Sequence, residues 1–325
     1  MNPIKWIFVY LFHFFGKSDN LFKMKFLRIV ILFFLLFSAN ADAQRWKRYR
    51  YRYELSTSFG ATNFLGDLGG ANQIGTHAFK DLDFVVTRPV VGFGCRFLTS
   101  NLTSAKVNLF YGRLMGDDKN TLEPYRHNRN LNFRSPVIEG SAQFELNWAF
   151  EQGGHRYNIK RVKGRKSIDK RVYVFLGVGG FYFNPKGKYV NGAWHSLRPY
   201  HTEGEGILPG VKQYSQFSLS FPMGIGGKYA LDRYWSVGME IGLRYTLTDY
   251  IDDVSTVYAT TAVDTTLNDP LATYFANPTS NELGSYVTAD GQQRGDPTHN
   301  DAYMFITFNI NYKVFRHGYR SKAKF

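Results

Sequence analysis

The chain has 325 residues, enough for one or two domains, and its 17% aromatic content (29 Phe and 22 Tyr, beside 31 Gly) suits an all-β protein better than a helical bundle. A slightly negative mean hydropathy excludes a helical membrane protein. A single Cys excludes an intramolecular disulfide framework and a Cys-based structural zinc site, and the meaning of the +14 formal charge depends on where the charge lies.

At the N-terminus, Lys25 and Arg28 precede an apolar run from Ile29 to Phe37, and small residues follow up to Ala41-Asp42-Ala43. A charged start, an apolar centre and an A-x-A site form a secretory signal peptide, with cleavage expected before Gln44. The run is shorter than the roughly 20 apolar residues of a membrane-spanning helix, so a retained anchor is the lesser reading. Residues before Met24 read as a non-native extension from an upstream start. This divides the chain into a signal segment, 1–43, and one barrel domain, 44–325.

Beyond Gln44 the hydrophobic period is two. From Trp235 to Leu247, Trp235, Val237, Met239, Ile241, Leu243, Tyr245 and Leu247 share one face, while Ser236, Gly238, Glu240, Gly242, Arg244 and Thr246 share the other. Phe217 to Tyr229 repeats the pattern, and Asp232-Arg233 supplies the turn between the two. Weaker alternation marks segments at Tyr51–Ala61, Val91–Phe97, Val107–Tyr111, Ile138–Trp148, Arg171–Asn184 and Met304–Tyr312. The fifth of the eight segments, Arg171–Asn184, is Gly-rich and poorly two-faced. The strands reach the roughly 9–11 residues that cross a bilayer when tilted. Long connections (66–87, 116–134, 185–216 and 248–300) alternate with short ones, the long turn 151–170 excepted. The expected fold is an eight-stranded antiparallel transmembrane β-barrel of OmpA/OmpX size with long outer loops.

The rival is a soluble barrel or sandwich with its apolar face inward. Against it, the polar face mixes Gly and Ser with Arg52, Glu54, Arg96, Glu139, Glu145, Lys228, Glu240 and Arg244, as a cramped lumen with paired charges would. Trp148, Trp235, Tyr229, Tyr245 and Tyr312 sit at strand ends, as an interfacial girdle would. Pairs such as Glu240 with Arg244 are expected to plug the lumen.

Candidates for chemistry are thin. His195 and His201 read as solvated loop histidines, and Cys95 as a small lipid-facing residue. Asp249, Asp252 and Asp253 form the densest acidic cluster, read as rim carboxylates without the spacing of a calcium loop. No nucleophile, base and orienter group together, so no enzyme, cofactor or metal is expected. Basic residues gather before the first strand (Arg45, Lys47, Arg48, Arg50), in the long turn (Arg156, Lys160, Arg161, Lys163, Arg165, Lys166, Lys170) and in the tail (Lys313, Arg316, Arg320, Lys322, Lys324). In the expected topology all three face the periplasm, where nucleic acid is no partner and the targets are outer-membrane lipid head groups or an acidic protein. The length of the turn favours a protein, with Lys160, Arg161, Lys163, Arg165 and Lys166 as contacts.

Three stretches carry a family resemblance: "FGATNFLGDLGG" (Phe59–Gly70), the segment from Phe221 to Tyr258 containing "TDYIDDVS", and the basic tail ending in Lys324-Phe325. In these the chain resembles the PorG-type outer-membrane barrel proteins of the type IX secretion system. The resemblance implies a non-enzymatic outer-membrane component associated with a periplasmic ring built from a lipoprotein and its partner. The alternative expectation is a structural or surface-interaction barrel of OmpA or OmpX kind, acting through its outer loops.

Overall fold

Alternation of apolar and polar side chains gives each long segment one face for lipid and one for a lumen, and a sheet of such strands removes its edges by closing on itself. The computed structural model describes residues 51–68, 86–100, 102–121, 123–148, 170–232 and 234–315. The segment expected to be a signal peptide, the basic turn with Lys160, Arg161, Lys163, Arg165 and Lys166, and the tail from 316 lie outside the described residues.

Eight strands form the barrel: β1 (Tyr51–Leu65), β2 (Arg88–Leu98), β3 (Thr103–Asp117), β4 (Asn132–Asn147), β5 (Lys170–Phe183), β8 (Phe217–Ala230), β9 (Trp235–Thr246) and β10 (Ala302–Phe315). Each pairs antiparallel with its neighbour in sequence, and β1 closes the ring against β10, with Leu55 opposite Tyr312 and Ala61 opposite Ile306. The small strands β6 (Lys186–Lys188) and β7 (Trp194–Ser196) extend from the end of β4 as a hairpin outside the ring. Pro222 stands within β8, where a missing N–H is costly. The ladder to β5 accommodates it by lapsing between the Leu176–Met223 and Gly179–Ser220 pairs.

The outer surface is apolar. Phe93, Val107, Leu109, Ile225 and Phe308 are among the outward side chains that stay exposed. A contiguous belt of this kind is stable only against hydrocarbon, since each large apolar side chain forgoes about 1.5–3 kcal/mol when left in water. Trp235 packs at a tilt against Tyr312 with centroids 5.0 Å apart, and Tyr234 stacks on the same ring at 6.3 Å, next to the short β8–β9 turn. This is the girdle expected at a bilayer interface. Asp232 fixes that turn by accepting hydrogen bonds from the backbone N–H groups of Tyr234 and Trp235, both at 2.6 Å. The fold is that of an outer-membrane barrel.

The lumen is closed at two levels. Near the short turns, Arg96 donates to Glu54 (2.9 Å), Glu145 (2.7 Å), Glu240 (3.2 Å) and the Tyr173 hydroxyl (3.0 Å). Lys106 reaches Glu240 at 2.7 Å, and Lys228 donates to Glu54. Glu240 therefore pairs with Lys106 and Arg96, whereas Arg244 bonds Glu139 at 3.3 Å, which corrects the expected Glu240–Arg244 pair. Four residues along one strand separate the two Cα atoms by about 13 Å at roughly 3.3 Å per residue. Polar atoms of Ser56, Ser58, Asn108, Gln143 and Asn309 have no protein partner among the described residues.

Toward the long loops the lumen turns aromatic, which alternation alone did not indicate. Phe64 packs edge-on to Phe133 (4.8 Å), Phe110 to Phe305 (5.4 Å) and Phe181 to Tyr303 (5.5 Å). Arg244 joins the two levels, its guanidinium lying 4.1 Å over the Phe305 ring. The glycines of the lumen make room for these rings: a Cβ on Gly226 would meet the Tyr173 ring at 2.4 Å, and one on Gly92 would meet Phe110 at 2.2 Å. Strand β5 is poorly two-faced in sequence because Tyr173, Phe175, Phe181 and Phe183 point inward while Val172 and Val178 face lipid.

Candidate functional site in the outer cap

With both faces of the barrel committed, to lipid and to a filled lumen, the surface left for recognition is at the ends. The described residues of the connections after β1, β3, β5 and β9 gather at one end into an ordered cap. The β3–β4 connection carries helix α1 (Pro124–Arg129), whose start is capped by Glu123 accepting from Tyr125 N (3.2 Å) and Arg126 N (2.7 Å). The β9–β10 connection carries α2 (Thr260–Leu267) and α3 (Pro270–Ala276), joined through Asn268 in the left-handed region at φ 49°. Val263, Ala272 and Ala276 form a small core under them, with Tyr200, Ile207 and Leu267 packed against it.

The segment "TDYIDDVS" roots the long β9–β10 connection. Asp252 accepts from Leu68 N at 3.0 Å, which ties it to the β1–β2 connection. Asp253, at φ 68°, accepts from Thr202 Oγ1 (2.6 Å) and the Tyr214 hydroxyl (2.5 Å), which ties it to the β5–β8 connection. Asp301 accepts from Ile251 N at 2.9 Å. Asp252 and Asp253 are fully buried and Asp249 nearly so. The acids expected at the rim are thus buried there, and Asp252, Asp253 and Asp301 serve as struts by accepting backbone N–H groups and hydroxyls that the loops leave over.

Burial sets their protonation. It pushes Asp249 up to about 8, with Asp67, Glu203 and Asp296 adding repulsion. It also lifts Asp253 to about 8, helped by Glu205 and opposed by Arg294. Glu205 rises to about 7 for the same reason, and Asp252 and Asp301 are raised by burial and by their neighbouring carboxylates. Among the described residues no group of three or more His, Cys, Asp or Glu has the geometry to hold a metal ion.

The two loop histidines do not converge. His195 is half-buried among aromatic rings, with its centroid 5.8 Å from that of Phe275, and His201 Nδ1 hydrogen-bonds the Glu205 carbonyl. Packing therefore replaces the solvated state expected of both. Cys95 is exposed on the outer face of β2, as expected.

Three arginines that the sequence did not single out organise the cap. Arg129 donates to both carboxylate oxygens of Asp118 (2.8 and 3.0 Å), to the Arg294 carbonyl (2.6 Å) and to the Asp67 carbonyl (2.8 Å). Arg126 donates to the same Asp67 carbonyl at 3.0 Å. Arg294 donates to Glu203 (2.9 Å) and to the Asp253 carbonyl (2.6 Å). Glu203 also receives Ser255 N and Thr256 N, both at 2.9 Å. These contacts join residues as far as 165 positions apart in otherwise aperiodic loops, where no spacing rule marks them.

Between these connections lies a cleft of about 520 Å³. Its walls include Asp67, Tyr125, Arg126, Tyr258, Tyr286, Gln292, Gln293 and Asp296. Tyr258 is buried in the wall, whereas Tyr125 and Tyr286 stand out into solvent.

No curated protein matches the chain. Among solved structures it is similar to Neisserial surface protein A, at 7% identity and a TM-score of 0.33 over 82% of this chain and 98% of that one. It is similar also to OprG of Pseudomonas aeruginosa, at 11% identity and a TM-score of 0.34 over 82% and 98% of the two chains. A third is outer membrane protein W of E. coli, at 10% identity and a TM-score of 0.30 over 82% and 100%. In sequence, residues 25–262 match the family described as a domain of unknown function, DUF6089. Because that match spans well over half of the chain, the protein belongs to the DUF6089 family.

Proposed function

We propose that the protein is a non-enzymatic outer-membrane barrel of a type IX protein secretion system, exported by its signal peptide. In this reading it docks a periplasmic lipoprotein or ring complex through its basic periplasmic face. The observation that carries it is the filled lumen. A barrel stoppered by an Arg96-centred ion network and by Phe110, Phe305 and Tyr303 offers no diffusive path, so its work lies at its ends. The choice of machine rests on the resemblance in "LGDLGG" and "TDYIDDVS". The choice of end rests on the basic clusters around Lys160–Lys166 and in the tail. Deletion of the gene tests it: cargo proteins are expected to accumulate in the periplasm and to be lost from the cell surface. Normal surface display of cargo in the deletion strain overturns the reading.

A second reading is favoured by one observation, the order of the outer cap. Loops tied together by Arg129, Arg294 and Glu203 form a fixed surface, which a surface-interaction barrel would need. An Arg294→Ala variant separates the two. It disturbs the cap and leaves the periplasmic rim intact, so export persists if the first reading holds.

A further inference from the structure

We propose that the cleft between Tyr125 and Tyr286 in the outer cap is a binding site for a neutral oligosaccharide. The inference stands apart from the secretion reading, since every wall of the cleft belongs to the connections after β1, β3 and β9, at the end opposite the short turns.

The first argument is aromatic. Elsewhere in the cap rings are packed: Tyr200 stacks on Phe275 at 5.3 Å, and Tyr274 meets Tyr189 at 4.8 Å. Tyr125 and Tyr286 are 65% and 74% exposed, and both lie on this one cleft. A tyrosine with a free face and a wet hydroxyl suits a ligand that is apolar on one side and polar at its edge. A pyranose ring, with C–H groups on its faces and hydroxyls around its rim, has that character.

The second argument is charge. Three arginines approach the cleft, yet each already faces a carboxylate and a backbone carbonyl. Arg129 is held by Asp118 and two carbonyls, Arg294 by Glu203 and a carbonyl, and Arg126 donates to the Asp67 carbonyl and lies 3.9 Å from Asp118. Asp67 and Asp296 add negative charge to the lining. A phosphate or sulfate would find little uncommitted positive charge. The Asp296 carboxylate is held by Thr298 and His299, and what the walls do offer is the exposed amides of Gln292 and Gln293. These are donors and acceptors that hydroxyl groups match in both senses.

The third argument is rigidity. Asp296 N donates to Asp67 Oδ2 at 2.6 Å, and Gln293 Nε2 to the Gly295 carbonyl at 2.9 Å, so the walls are set before a ligand arrives. The volume falls within the range usual for small-ligand sites, and admits a short oligosaccharide.

The test uses the full barrel in detergent micelles on an array of neutral, phosphorylated and sulfated oligosaccharides, with empty micelles as the control. Binding to at least one neutral oligosaccharide is expected. It should weaken by about tenfold in each of Tyr125→Ala and Tyr286→Ala, the size of one lost ring contact. Tyr286→Phe, which keeps the ring, should remain close to wild type. Heat-dependent gel mobility monitors the barrel in every variant, so a folding defect is told apart from loss of the site. Failure to bind any neutral sugar, binding confined to anionic sugars, or binding unchanged in both alanine variants overturns the proposal.

Discussion

Arg96 on β2 reaches past β3 to Glu145 on β4, its Nε lying 2.7 and 3.0 Å from the two carboxylate oxygens, and both side chains are sealed from solvent. The remaining nitrogens of Arg96 serve Glu54, Glu240 and Tyr173, so one cation compensates carboxylates from β1, β4 and β9. Arg96→Leu is expected to strand those acids, and breaking a buried pair of this kind costs about 3–5 kcal/mol. Denaturant unfolding of the barrel in micelles measures the loss. A change below about 1 kcal/mol would mean that water already carries most of the compensation.

The aromatic level predicts how conductance responds. Arg96→Leu removes part of the ionic level, but Phe110, Phe305, Phe181 and Tyr303 still close the lumen beyond it. Planar-bilayer recordings should therefore find no channel in the wild type or in Arg96→Leu. Combining that change with Phe110→Ala and Phe305→Ala should raise the frequency of openings. Steady wild-type conductance would contradict a filled lumen and remove the reason for placing function at the ends.

The legibility of this protein followed the physical origin of each feature. A period of two is a local consequence of the pleat, so β9, with Val237 and Met239 outward and Glu240 and Arg244 inward, could be read directly. The girdle residues Trp235 and Tyr312 were legible for the same reason. Strand β5 blurred because Tyr173 and Phe181 fill the lumen while Val172 and Val178 meet lipid, making both faces apolar. Partners within the lumen were not legible, since Glu240 meets Lys106 across 134 residues and not Arg244 four residues away. The cap was least so. Asp252 and Asp253 stood out as acids, but whether an acid is solvated or a buried strut depends on distant groups such as Leu68 N and the Tyr214 hydroxyl.

Those struts carry a pH dependence with a definite sign. Asp253 titrates near 8 in the folded cap, against an ordinary value of 3.8. A carboxyl raised in this way favours the folded cap fully below the ordinary value. That contribution is lost as pH rises from about 4 to 8, while the unfolded acid ionises and the buried one resists. Asp249, near 8, and Glu205, near 7, act in the same direction. Proteolytic nicking of the cap should accelerate as pH rises through this window, with the barrel left intact, and Asp253→Asn should flatten the response. Faster nicking toward pH 4 would reverse the sign and rule out buried neutral acids as the cause.

The basic turn decides between the two ends of the barrel. Lys160, Arg161, Lys163, Arg165 and Lys166 place five positive charges within seven residues, a density that would attract an acidic protein surface at low ionic strength. Replacing all five with Ser or Gln should leave the barrel folded, with heat-shifted mobility retained. Co-purification of the periplasmic partner from crosslinked membranes should fall by about tenfold or more, as for the loss of several interfacial charges. Raising the salt should weaken wild-type capture in the same sense, because exposed charges are screened beyond about 8 Å at physiological ionic strength. If capture is unchanged by both substitution and salt, the turn is not the docking surface. The ordered cap with its cleft then becomes the better place to look for the function.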